Sequence, residues 1–60
     1  MKKQIWYDYN GIEHQLQELE IGKMTSLYGF DQRNFFFAKN NKEIEYCGRD
    51  QNAIYIIRKE

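Results

Sequence analysis

The stretch IWYDYNGIEHQL, residues 5–16, carries the clearest local structural signal in the sequence. At its centre, Asn10-Gly11 supplies the two positive φ angles of a type I′ turn, the strongest short-range signal of a hairpin. Folding the chain at this dipeptide places three cross-strand pairs on one face: Tyr9 with Ile12, Tyr7 with His14 and Ile5 with Leu16. Because the turn and the residue alternation agree on one register, the stretch predicts a β-hairpin.

A helix over residues 11–21 is the alternative for part of the same stretch. Ile12, Leu16 and Leu19 are spaced as i, i+4 and i+7, which places them on one face of a helix. Asn10 would cap the start of that helix. The hairpin is the preferred interpretation, and the helix stays open as the second one.

The rest of the chain reads as short strands separated by turns. Asn40-Asn41 marks one turn, because asparagine tolerates left-handed backbone conformations. The strand-like segments are residues 24–30, 33–39, 43–46 and 53–58. Five to six strands in a single domain of residues 1–60 predict an all-β fold, a small antiparallel barrel or rolled sheet. In strand count and loop placement this outline resembles an SH3-like barrel, and the alternative is an α+β fold with the helix at residues 11–21.

Composition narrows the classes of function. The 9 basic and 9 acidic side chains cancel, which argues against a general nucleic-acid coat, since such a protein needs a basic surface. A single cysteine, Cys47, and a single histidine, His14, exclude an intramolecular disulfide and a cysteine–histidine zinc site. The four glycines are scattered at apparent turns and form no phosphate-binding loop. We therefore expect neither a metal nor a cofactor.

Residues suited to catalysis are equally sparse. Cys47 has only His14 as a candidate base, and the two lie far apart in the sequence. Glu43 and Glu45 share one strand face, where a solvated pair explains them better than acid–base chemistry does. We predict that the protein is not an enzyme.

The sequence contains no window of the ~20 apolar residues that a membrane span needs. No apolar stretch follows Lys2 and Lys3 as it would in a secretory signal, and a lone cysteine fits a reducing compartment. The predicted location is therefore the cytoplasm. Lysine, asparagine, isoleucine and tyrosine, all encoded by AT-rich codons, are abundant. That bias favours a low-GC bacterium or its phages and mobile elements, with the host cytoplasm as the location in the latter case.

Three predicted strands carry apolar side chains on both faces. One small core cannot easily cover both faces of three strands. Either the additional aromatic residues close the ends of a barrel, or the second faces meet in an exposed patch that binds a partner. The residues predicted for that partner-binding patch are Trp6, Phe36, Tyr55 and Ile57, with Arg33 and Arg49 beside them.

These features together favour a small protein-binding regulator or inhibitor that acts stoichiometrically on a larger host protein. Homodimerisation through the same patch is compatible with that function. The alternative is a small nucleic-acid-binding β-barrel in which Phe36 and Tyr55 stack on bases and nearby arginines contact phosphates.

Overall fold

The computed structural model describes residues 4–60. Two antiparallel sheets, one α-helix and one 3₁₀ turn make up this part of the chain. The first sheet pairs β1 (Ile5–Tyr7) with β2 (Glu13–Gln15), and the 3₁₀ turn (Leu16–Glu18) follows. The second sheet has the order β3-β5-β4 and consists of β3 (Met24–Tyr28), β4 (Ile44–Arg49) and β5 (Ala53–Arg58). Helix α1 (Gln32–Lys39) connects β3 to β4.

Neither sheet closes into a barrel, so the fold is a small β-rich α+β fold. The predicted strand-rich antiparallel architecture is confirmed with five strands, and the fold falls in the α+β class given as the alternative. The all-β class is wrong, because residues 33–39, predicted as a strand, lie in α1. The alternative helix at residues 11–21 is also wrong, since only the 3₁₀ turn is helical there. The Asp31 side chain caps α1 by accepting the backbone N–H of Arg33 at 3.0 Å.

The three consecutive phenylalanines are distributed around α1 instead of alternating across a strand. Asn34, Phe37 and Ala38 are buried and recur at i, i+3 and i+4, which is one face of a helix. Phe36 falls on the opposite side and is 62% exposed. The run of aromatic residues indicates a strand by propensity, but tertiary burial of one helical face decides the outcome.

The predicted hairpin is present, with a register one residue away from the expected one. Trp6 pairs with His14 and Tyr7 with Glu13, so Trp6 and His14, expected on different faces, lie opposite each other. A change of one residue moves each side chain to the other face of the strand. The tryptophan and histidine rings consequently stack.

Asp8 sets this register. Its carboxylate accepts the backbone N–H groups of Asn10 at 2.8 Å and Ile12 at 3.0 Å. The connection between β1 and β2 therefore spans residues 8–12 and is longer than a two-residue turn. Gly11 has a φ of 78°, but Asn10 does not have the positive φ that a type I′ turn requires.

The core lies between α1 and one face of the three-stranded sheet. Ile54 and Ile56 of the central strand β5 are fully buried, and Phe37 and Ala38 of α1 belong to the same cluster. The remaining buried apolar members of the cluster are Leu16, Leu19, Leu27 and Ile44. Each fully buried large side chain contributes about 1.5–3 kcal/mol relative to an exposed one.

The fully buried polar residue Asn34 joins α1 to both sheets. Its Oδ1 accepts the backbone N–H of Tyr7 in β1 at 2.8 Å. Its Nδ2 donates to the carbonyl of Tyr7 at 2.8 Å and to the carbonyl of Tyr28 at the end of β3 at 3.0 Å. One side chain thus satisfies three backbone groups from two sheets, which fixes where the hairpin docks.

A bulge in β4 determines which side chains share the face of α1. The pairing of β4 with β5 shifts between Tyr46 and Gly48, where Gly48 adopts a φ of 134°. Tyr46 pairs with Ile56 before the shift, and Arg49 pairs with Ile54 after it. Because both partners face the core, the additional residue brings Tyr46 and Arg49 to the same side of the sheet.

Replacement of Asn34 by alanine tests its role. Asn34→Ala leaves two carbonyls and one N–H without their partner in a buried position, so we expect a loss of roughly 2–4 kcal/mol in the free energy of unfolding. Urea denaturation measures this value. The control is Asn52→Ala at an exposed position, which should change the value by less than about 0.5 kcal/mol. Equal midpoints for the two variants would contradict the role assigned to Asn34.

Candidate binding surfaces

The six binding residues predicted from the sequence do not lie together in the structure. Some lie on the open side of the sheet, some lie on the side of α1, and one lies in the hairpin. Tyr55 and Ile57 alternate along β5 with the two fully buried isoleucines, so they point away from α1. Phe36 and Arg49 lie on the side of α1. Trp6 belongs to the hairpin, and Arg33 lies in the first turn of α1. The single patch predicted from alternating strands is therefore not assembled.

The open sheet face comprises Met24 and Ser26 of β3 together with Tyr55 and Ile57 of β5. Ser26 pairs with Tyr55 and Met24 pairs with Ile57, which places the four side chains on one surface. Met24 is 54% exposed, Ser26 is exposed, and the two β5 residues are partly buried. Glu45 of β4, opposite Ile57, is a charged neighbour at the edge of this surface.

A group of three aromatic rings extends the open sheet face. Tyr28, at the end of β3, has the same strand parity as Met24 and Ser26. Its ring lies 5.2 Å from that of Tyr9 and 5.7 Å from that of Phe30. Tyr9 is 49% exposed and Phe30 is 63% exposed, even though both rings contact the ring of Tyr28. Sequence reasoning missed this group because Tyr9 and Phe30 belong to connections between strands.

The helix-side face comprises Phe35, Phe36 and Lys39 of α1 with Tyr46 and Arg49 of β4. The rings of Phe35 and Tyr46 are 6.2 Å apart. The Lys39 ammonium lies 5.9 Å from the centre of the Phe35 ring and 5.4 Å from that of Tyr46. The Arg49 guanidinium lies 5.2 Å from the centre of the Phe35 ring. Two cations and three aromatic side chains thus form one surface.

Arg33 is already engaged within the molecule. Its guanidinium donates to both carboxylate oxygens of Asp31, at 2.9 and 2.7 Å, and lies 3.6 Å from the centre of the Tyr7 ring. These hydrogen bonds lower the pKa of the Asp31 carboxyl and raise the pKa of Arg33. Arg33 fixes the start of α1, whereas the cations available on that side are Lys39 and Arg49.

Trp6 is similarly occupied. Its ring stacks on His14 with 4.4 Å between centres and 18° between planes, and its Nε1 donates to the carbonyl of Gln15 at 3.0 Å. The side chain also packs against the core cluster. Its position supports a role in the hairpin rather than in a surface patch.

His14 is held between two carboxylates. Its Nε2 lies 2.9 Å from Asp8 and its Nδ1 lies 2.8 Å from Glu18. Both nitrogens can donate only in the charged imidazolium. The hydrogen bonds to Asp8 and then to Glu18 raise the pKa of His14. The His14 hydrogen bond lowers the pKa of Asp8, while the Gln15 N–H and then His14 lower the pKa of Glu18.

Cys47 lies at the β4 bulge and is exposed, and its thiol is directed at the carbonyl of Glu45, 3.6 Å away. Within residues 4–60, no group of three or more histidine, cysteine, aspartate or glutamate side chains is placed to hold a metal ion. No helix in this described range is long and apolar enough to cross a membrane.

Comparisons with protein-family models, with characterised proteins and with solved structures found no match.

The His14 cluster predicts a maximum of stability in mildly acidic solution. Because the pKa of His14 is raised, its contribution is complete below its ordinary value of 6.5 and is lost as the pH rises through the folded-state value. Because the pKa values of Asp8 and Glu18 are lowered, their contributions are complete above 3.8 and 4.5 and are lost as the pH falls through the folded-state values. Thermal melting should therefore show the largest contribution of the cluster between pH 4.5 and 6.5.

His14→Gln should flatten this pH profile, since glutamine carries no titrating proton. Glu13→Gln, at the exposed neighbouring position, should keep the profile of the wild type. If the wild type and His14→Gln gave superimposable profiles, the cluster would have no part in stability.

Proposed function

We propose that this chain is a protein-binding regulator that acts stoichiometrically on a larger protein through the open sheet face. One observation carries the proposal: α1 and the core occupy one side of the sheet, and the other side carries exposed Met24 beside the partly buried side chains of Tyr55 and Ile57. Contiguous apolar surface of this kind is typical of sites that bind other proteins.

The chemistry of this face favours a protein over a nucleic acid. The paired positions of β3 and β5 contribute a thioether, a hydroxyl, a phenol and a branched aliphatic chain, with no cation among them. Neutralising phosphate charge requires lysine or arginine, and these four positions carry neither. Aromatic residues and methionine are enriched at the centres of protein interfaces, and this face combines exposed Met24 with partly buried Tyr55 and Ile57.

The size of the molecule is also compatible with a specific interface. A standard interface covers about 800 Å² on each partner, which is about a fifth of the 4293 Å² that this protein exposes. The open sheet face would supply the apolar centre, and the aromatic group at Tyr9, Tyr28 and Phe30 would extend it. A second copy of the chain could dock on the same face, so self-association is a competing outcome.

The test uses a matched pair of exposed apolar positions. Met24→Lys introduces a charge into the open sheet face, and Ile12→Lys introduces the same charge at a 57% exposed position in the hairpin connection. Affinity capture from nuclease-treated lysate of the source organism or its host, with quantitative mass spectrometry, compares both variants with the wild type. We expect one protein at near-equal stoichiometry with the wild type and Ile12→Lys, and at least a tenfold reduction with Met24→Lys.

Two further readouts make the result decisive. Thermal melting checks that both variants stay folded, as expected for substitutions at exposed positions. Sedimentation analysis of the purified protein shows whether a second copy occupies the face instead. Equal capture by Met24→Lys and the wild type would contradict the proposal, as would a dimer that dissociates with Met24→Lys and binds no other protein.

A further inference from the structure

We propose that the helix-side face is a second binding site, which takes an acidic segment of a protein chain. Lys39 and Arg49 would pair with its carboxylates, and the exposed ring of Phe36 would supply an apolar contact. This face lies on the side of α1, away from the open sheet face. The inference therefore goes beyond the proposed function and can fail independently of it.

The cations of this face come from two elements that the fold brings together. Lys39 ends α1, and Arg49 follows the bulge in β4. In a regular strand, residues 46 and 49 would point to opposite faces, because side chains alternate with a period of two. The register shift at Gly48 places Tyr46 and Arg49 on one face, so that both Arg49 and Lys39 lie over the ring of Phe35.

Lys39 and Arg49 carry uncompensated charge. Within the described residues, neither side chain forms an ion pair, whereas Arg33 on the same helix is held by both oxygens of Asp31. Helix α1 contains no acidic residue that could neutralise Lys39. Contacts with the aromatic rings restrain the two cations. Such contacts leave N–H donors for a carboxylate.

Phe36 adds the apolar part of the site. It lies three residues before Lys39, so the two side chains are neighbours on the helix surface. At 62% exposed, its ring is open to solvent. A ligand that places a carboxylate on Lys39 or Arg49 can also cover this ring, which joins a charged contact to an apolar one.

The surrounding charges favour a short acidic segment over a nucleic acid. Asp50 directly follows Arg49, and the whole chain has a net charge of zero. A nucleic-acid strand brings a phosphate at each nucleotide, and its affinity comes mainly from neutralising several of them. Two free cations supply little of that energy. They suffice for the few carboxylates of an acidic peptide.

Fluorescence anisotropy with three labelled probes tests the site. The probes are a peptide of about ten alternating glutamate and leucine residues, the same peptide with glutamine for glutamate, and a thymidine oligonucleotide of similar length. For the wild type at low salt, we expect the glutamate peptide to bind at least about tenfold more tightly than the glutamine peptide. Added salt should reduce that difference.

The variants separate the local site from the overall charge. The double variant Lys39→Glu/Arg49→Glu should weaken binding of the glutamate peptide at least about tenfold. The control Lys23→Glu/Lys59→Glu makes the same change in net charge at exposed positions outside the helix-side face, and it should bind like the wild type. Circular dichroism confirms that both variants are folded.

Three results would overturn the inference. If the wild type bound the two peptides equally, the site would not recognise carboxylates. If both double variants lost the same affinity for the glutamate peptide, the binding would depend only on the net charge of the protein. Tighter binding of the oligonucleotide than of the glutamate peptide, lost in Lys39→Glu/Arg49→Glu, would assign the face to nucleic acid. Lys39 and Arg49 lie outside the open sheet face, so the proposed function is tested separately by Met24→Lys.

Discussion

The buried amide of Asn34 is the interaction on which the arrangement of this fold depends. It is a fully buried polar side chain, and its hydrogen bonds reach Tyr7 in the hairpin and Tyr28 at the end of β3. A buried amide without partners would cost several kilocalories per mole, so the helix, the hairpin and the sheet are stable only when docked in this arrangement. The polar contact specifies the geometry, and the apolar cluster supplies most of the stability.

That geometry gives the sheet two unlike faces. Helix α1 and the hairpin cover the face of Ile54 and Ile56, and no element within residues 4–60 forms a second layer over the face of Tyr55 and Ile57. The bulge at Gly48 adds a further distinction, because it brings Arg49 beside the aromatic residues on the covered side. The exposed Met24 and the two cations Lys39 and Arg49 thus lie on opposite sides of the sheet.

The sequence predicted those elements whose local signals agreed with their tertiary environment. The alternating, β-branched segment at residues 53–58 coincides with β5, and the hairpin at Asn10-Gly11 forms. The register of the hairpin could not be predicted from the Asn10-Gly11 dipeptide, because the carboxylate of Asp8, which precedes the dipeptide, accepts the backbone N–H groups of Asn10 and Ile12. The three phenylalanines have a high strand propensity, so residues 33–39 were predicted as a strand. The weaker signal for a helix was Asp31, which caps the start of α1.

The error in that run also explains the outcome for the candidate patch. If residues 33–39 formed a strand, Phe36 could lie on the same sheet face as Tyr55. Because they form a helix, Phe36 lies on the other side of the core from Tyr55. Lys39, Phe35 and Tyr46 were missed because their proximity depends on the docking of α1 against the bulged strand. Neither the docking of α1 nor the bulge in β4 can be recognised from the spacing of residues in the sequence.

The arrangement of the core on α1 leaves one face of the sheet covered and the other open. Nuclear magnetic resonance with a soluble paramagnetic reagent distinguishes the two faces, since the reagent broadens methyl signals that solvent can approach. We expect strong broadening for Met24 and measurable broadening for Ile57, with Ile54 and Ile56 unaffected. Equal protection of the methyl groups of all four residues, or broadening of those of Ile54 and Ile56, would show that the two faces do not differ in this way.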